Sequence, residues 1–310
     1  MAKANNNFKD RFRELGLGTK RVSSDRFITK DGSFNVITRG VGLKGFSLFH
    51  WLINMSWTRF FVFVTVSYFL VNSLFASIYY FVGVEFLTEF DDKAGGEFLH
   101  CFYFSSQTLT TVGYGRISPV GPVSSMVASV EAMVGLLGFA FATGILYGRF
   151  SKAHSKIMFS DKMLVSPYRG IKGIKFRIAN MRESQLIDMQ AKLMYSFLQN
   201  ENGEIKRRYM SLDLEIDFIN MFPLPWTIVH PIDESSPLKE KGEEELANEK
   251  AEFLIILKGF DDTFNQYVHQ IHEYNHEEVV FGADFDQMFD PAAPGETVVH
   301  LNKISSYHSI

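Results

Sequence analysis

At 310 residues the chain has room for one to three domains, and its 46% hydrophobic content is ordinary for folded proteins. The single cysteine, Cys101, excludes an internal disulfide framework and suits a large reduced portion. A net charge near −4 selects no partner by itself, and no nucleic-acid partner is expected.

Residues 1–45 are polar and rich in Lys and Arg, without an apolar core ending in small residues, so a removable signal peptide is not expected. Residues 46–56 are too short to span a bilayer, and their aromatics suit a helix lying in the interface, with Trp51 and Trp57 at headgroup level. A plain helical extension into the cytosol is the alternative. Residues 60–82 carry no formal charge over about 23 positions, the length a spanning helix requires. The connection that follows carries Glu85, Glu89, Asp91, Asp92 and Glu97 against Lys93. Residues 97–109 are moderately apolar and read as a re-entrant pore helix, tolerated at membrane depth when it lines a water-filled path. Its carboxyl end aims partial negative charge at a cavity.

Residues 111–115 read Thr-Val-Gly-Tyr-Gly. This is the pentapeptide known from potassium-selective filters, and the link to potassium rests on that known identity. The residue types explain its suitability. A potassium ion leaving water needs replacement oxygens, and successive backbone carbonyls supply them if they face one axis. Gly113 and Gly115 tolerate positive φ, which lets the carbonyls of Thr111, Val112, Gly113 and Tyr114 point the same way, with the Thr111 hydroxyl as a further ligand. One strand lines only a fraction of such a tunnel, so four copies are needed. Potassium bound at residues 111–115 is the only metal expected, no cofactor is implied, and no catalytic residues or enzyme activity are expected.

Pro119, Gly121 and Pro122 stop the loop, and residues 126–147 form a second span broken only by Glu131. Arg39, Lys44 and Arg59 precede the first span, and Arg149, Lys152, Lys156 and Lys162 follow the second. The positive-inside rule therefore places both termini in the cytoplasm of a multi-pass protein of the cell membrane. Glu131, the one ionisable residue well inside a span, is functional or paired by default, with Gln107 as a candidate partner in a buttress behind the filter. Beyond Lys152 the pattern changes to short β-branched and aromatic segments at 174–180, 190–197, 209–216, 226–229 and 253–257. Gly and Pro punctuate them, which predicts an all-β sandwich over 151–310. The charged stretch 239–250 reads as an exposed turn or short helix. No Gly-x-Gly-x-x-Gly follows any strand, against a Rossmann-type sensor.

Several segments carry a resemblance to the prokaryotic inward-rectifier (KirBac-like) potassium channels: the filter, Phe-Arg-Ile-Ala-Asn-Met-Arg at 176–182, Trp-Thr-Ile-Val-His-Pro-Ile-Asp-Glu-Ser-Ser-Pro-Leu at 226–238, and Glu-Val-Val-Phe-Gly at 278–282. It spans roughly 35–289. The resemblance implies a homotetramer of two-transmembrane α-helical pores with re-entrant pore helices, an immunoglobulin-like cytoplasmic β-sandwich, and no voltage sensor. It also implies roles. Gln107 and Glu131 support the filter; eukaryotic relatives have a glutamate where Gln107 stands, paired with an arginine, so that bridge cannot form here. Gly135 matches a hinge, with Gly138 and Gly144 further loosening the helix and close packing the alternative. Phe139 and Tyr147 lie eight residues apart, on similar faces, and four copies of either would make an apolar gate. Phe139 stands where strong rectifiers place an acid. Asp188 matches an acidic vestibule position, whereas Lys258 replaces another acid, so rectification is expected to be weak. Trp57, Arg59, Arg149 and Lys152 are expected to bind phosphoinositide or another anionic lipid.

Two rivals remain at this stage: a two-helix potassium channel gated by another ligand, disfavoured by the missing nucleotide fingerprint, and a non-conducting membrane-anchored sensor, which would have no use for a filter. His269, His272 and His276 have a spacing compatible with one helix face and a metal site, although their neighbours fit a strand edge and turn better.

Overall fold

The computed structural model describes residues 47–89, 95–152, 156–182, 184–201, 203–291 and 297–310. The expected amino-terminal segment 1–45, and Asp91, Asp92 and Lys93 of the connection, lie outside them. The described chain divides into a helical unit up to Lys152 and a β-rich unit after it.

In the helical unit, α1 (Leu48–Asn54) begins at Ser47, whose Oγ accepts the His50 amide. Ser56 plays the same part for α2 (Trp57–Val82), and Gly83 at φ 118° ends that helix. The pore helix α3 (Glu97–Leu109) follows, then α4 (Pro122–Phe150). α4 starts about a turn before the expected 126, because Pro122 sits at the first helical position, where its missing N–H costs nothing. α2 and α4 are both long and apolar enough to cross a membrane. Phe75, Ala76 and Tyr79 of α2 pack on Cys101 and Phe104 of α3, forming the core of this unit.

The β-rich unit is a sandwich of two five-stranded sheets. In the first, β3 (Ile171–Asn180) is flanked by β1 (Ile157–Phe159) and β2 (Met163–Tyr168) on one edge and by β7 (Trp226–Ile232) on the other. In the second, β4 (Leu186–Glu201) pairs with β5 (Glu204–Leu212) and β6 (Phe218–Met221) on one edge and with β8 (Glu252–Asp261) on the other. β9 (Gln266–Asn275) closes the hairpin with β8. Strict alternation makes the core: Ile174, Phe176 and Ile178 of β3 face Ala191, Leu193 and Tyr195 of β4 and Phe253, Ile255 and Leu257 of β8. The strand expected over 209–216 instead ends at Leu212 and resumes as β6. The charged stretch contains a short helix, α5 (Glu243–Asn248), anchored by buried Leu246.

The His-Pro-Ile-Asp segment is a structural lock. His230 is buried, its Nδ1 meeting the Asp213 carbonyl at 2.6 Å and its Nε2 the Ser236 hydroxyl at 2.8 Å. Burial holds this imidazole below the ordinary histidine range, and therefore neutral. His269 and His272 lie three apart on β9, hence on opposite faces of the strand, and His276 sits in a 3-10 turn. That geometry removes the shared helix face a metal site would have used.

Candidate functional site

The backbone of residues 111–115, the expected filter, alternates. Thr111, Gly113 and Gly115 have φ of 58°, 55° and 76°, whereas Val112 and Tyr114 have no positive φ. Reversing every second residue swings carbonyls that a strand would send to opposite sides toward one side. The two glycines were legible in the sequence; Thr111, a β-branched residue in the left-handed region, was not. Its strained backbone persists because neighbours hold it. The carbonyl of Gln107 accepts the amides of both Val112 (2.9 Å) and Gly113 (3.2 Å), and Thr108 accepts that of Thr111 at 3.0 Å. The last carbonyls of α3, which have no partner inside their own helix, thereby anchor the start of the Thr-Val-Gly-Tyr-Gly segment.

The expected Gln107–Glu131 pair does not form. The Gln107 amide donates to the Ile117 carbonyl at 3.0 Å, tying the end of α3 to the chain leaving the filter. Glu131, fully buried, instead accepts from the Tyr79 hydroxyl (2.7 Å) on α2 and shares a hydrogen bond with the Ser105 hydroxyl (2.5 Å) on α3. The mismatch is geometric, since the Gln107 side chain is directed to the chain beyond the filter. Arg116 reaches Glu89 at 3.3 Å in an exposed pair.

Gly135 lies where α4 crosses the end of α3. A Cβ there would stand 2.0 Å from the Leu109 carbonyl oxygen, so close packing accounts for this glycine directly. A Cβ on Gly138 or Gly144 would meet nothing within 4 Å. Phe139 and Tyr147 are about three-quarters exposed in the single chain, and Tyr114 is 81% exposed.

The basic and aromatic group at the end of α4 is built differently from the lipid site expected of it. Arg149 is buried and its guanidinium donates to the carbonyls of Leu52 (2.6 Å), Ile53 (3.1 Å) and Met55 (2.8 Å). It therefore caps α1 from another helix, lying over the Trp57 and Phe60 rings at 4.5 and 4.8 Å. Lys152 reaches the Asn54 side chain at 2.5 Å, and Gly148 leaves room for Ile53. With Arg149 so engaged, Arg59 and Lys152 are the exposed cations of the group. The part Arg149 plays in seating α1 on α4 was missed because its partners are backbone carbonyls, which have no signature in sequence.

In the β unit, Asp188 is exposed at a bulge, with φ 50° and a register shift between Ile187 and Gln190. Lys258 lies opposite Gln190 on β8, exposed, its Nζ 4.5 Å from the centre of the Tyr267 ring. The acid and the base thus occupy neighbouring strands of one sheet.

A family model for the inward rectifier potassium channel C-terminal domain matches residues 157–310, and an ion channel model matches 61–152. The chain is 33% identical over 289 residues to the inward rectifier potassium channel Kirbac3.1 of Paramagnetospirillum magnetotacticum, covering 92% of this chain and 95% of the relative. It is 26% identical to the human ATP-sensitive inward rectifier potassium channel 10, over 93% of this chain and 81% of that one. With the human inward rectifier potassium channel 4 the identity is 25%, over 86% and 69%.

Proposed function

The chain belongs to the inward-rectifier potassium channel family, and from that premise we propose that four copies assemble around residues 111–115 as a passive, potassium-selective membrane pore. The observation that carries this reading is the alternating positive φ at Thr111, Gly113 and Gly115, held from behind by the Gln107 carbonyl. A single chain leaves Tyr114 and Phe139 largely uncovered, which supports completion of the path by further copies.

Both termini face the cytoplasm, with α1 in the inner interface. Phe139 and Tyr147 form apolar constrictions that close by dewetting. Gly144, which has room around it, permits the helix to bend, whereas Gly135 is kept by its packing on the Leu109 carbonyl. Phosphoinositide or another anionic lipid acts through Arg59 and Lys152 with Trp57, while Arg149 joins α1 to the inner helix. Rectification is weak, because Phe139 brings no charge to the cavity and Lys258 offsets Asp188 in the vestibule.

Rubidium uptake into liposomes carrying the protein tests the central claim. Uptake should be blocked by barium and resist competition by sodium. Equal flux of sodium and rubidium would overturn it.

A further inference from the structure

Behind the pore helix, four side chains from three helices form a chain of polar contacts sealed from solvent. Asn72 and Tyr79 come from α2, Ser105 from α3 and Glu131 from α4, each no more than 1% exposed. None of the described contacts of Glu131 is with a cation.

Counting hydrogens decides how this chain is wired. The Asn72 side-chain nitrogen donates to the Tyr68 carbonyl at 2.8 Å. A carbonyl only accepts, so the amide cannot be flipped, and Asn72 Oδ1 must face Ser105 at 3.1 Å as an acceptor. Tyr79 donates to Glu131 Oε2 at 2.7 Å. Ser105 Oγ then stands among three acceptors, the Asn72 carbonyl at 3.2 Å, Asn72 Oδ1 and Glu131 Oε1, the last at 2.5 Å, with one hydrogen to give.

An ionised Glu131 would take that hydrogen and leave Asn72 Oδ1 with no donor among the described residues. It would also bury a charge at membrane depth on two hydroxyls alone. A protonated Glu131 removes both faults. Its Oε1–H donates to Ser105 Oγ, Ser105 donates to Asn72 Oδ1, and Tyr79 donates to Oε2, so every oxygen has a partner.

We propose that Glu131 is held as a neutral carboxylic acid, and that the relay Tyr79–Glu131–Ser105–Asn72 positions the pore helix against both spanning helices. Glu131 is a positioning residue: it touches no ion and acts through α3, whose last carbonyls anchor the filter. The functional half of this inference rests on the channel reading above; the protonation state does not.

The test pairs infrared spectroscopy with flux on the full-length protein in liposomes. The difference spectrum of wild type against Glu131→Gln should show loss of a protonated-carboxyl C=O band at neutral pH. In flux, Glu131→Ala and Ser105→Ala should lower the rubidium-over-sodium ratio by about tenfold, the effect of one buried hydrogen bond. Glu131→Gln, which offers an N–H to Ser105 and an oxygen to Tyr79, should restore the ratio to within about twofold, well inside that effect. Loss of only ionised-carboxylate bands, or a Gln variant as impaired as the Ala variant, would overturn the proposal. Should wild type show no selective flux at all, the channel reading fails while the infrared assignment still stands or falls by itself.

Discussion

Replacing Gly135 by alanine separates two explanations of that glycine. In an ordinary helix the change would stabilise by about 0.5–1 kcal/mol, through lower backbone entropy in the unfolded chain and better shielding of the helix backbone. At Gly135 the new Cβ would lie 2.0 Å from the Leu109 oxygen, 2.9 Å from its carbonyl carbon and 3.1 Å from its Cα. Reaching even a tight 3.0 Å contact requires α4 to back away by about 1 Å. The obstacle is backbone, which no rotamer change can clear, and overpacking of this kind costs about 1–3 kcal/mol. Because the obstacle is rigid backbone, the clash outweighs the helix gain, for a net loss of up to about 2.5 kcal/mol per chain. Leu109 immediately precedes Thr110 and the filter, so selectivity should suffer with stability. The assay is thermal dissociation in detergent together with rubidium flux, using Gly138→Ala, which meets nothing within 4 Å of this chain, as the control. A Gly135→Ala protein as stable and as selective as the control would refute the packing argument.

Three further outcomes are expected. Because burial depresses the His230 pKa, the unfolded state takes up the proton first as pH falls through the ordinary histidine range near 6.5. The stability contributed by neutral His230 is thus complete above that range and lost as pH falls toward the lower folded-state value; melting curves should show a steeper acid-side decline in wild type than in His230→Gln, and parallel declines would disprove it. Arg149→Ala removes three charged-donor hydrogen bonds from the end of α1, each contributing about 1.5–3 kcal/mol. Amide exchange in Leu48–Asn54 should accelerate about tenfold or more, and unchanged exchange would count against the cap. Phe139→Asp should create a steep voltage-dependent block by intracellular spermine in excised patches, and such a block already present in wild type would contradict weak rectification.

The features legible in sequence were those carried by local chemistry. Two apolar lengths marked α2 and α4, and Pro122 after Gly121 marked the restart of the chain, although its place at the first helical position made α4 longer than the apolar run suggested. Alternating apolar residues such as Ile174, Phe176 and Ile178 marked the sandwich. Glu131 stood out as an ionisable residue inside a span; Asn72 and Ser105, polar residues within apolar segments, are the further signal that could have led to its true partners. What the sequence left open was how polar groups pair at a distance.

From its sequence alone, the protein's two long apolar helices, its Thr-Val-Gly-Tyr-Gly segment and its all-β second unit were determined, because each follows from residue types within a few positions of one another. The tertiary structure decided the supports. Glu131 meets Tyr79 across 52 residues and Ser105 across 26, and Arg149 reaches the Leu52 carbonyl across 97. Partners at such separations depend on how helices cross and on which groups are left without a local bond, as the last carbonyls of α1 are. Gly135 reads alone as a flexible point; against the Leu109 carbonyl it is the one residue small enough to let two helices touch.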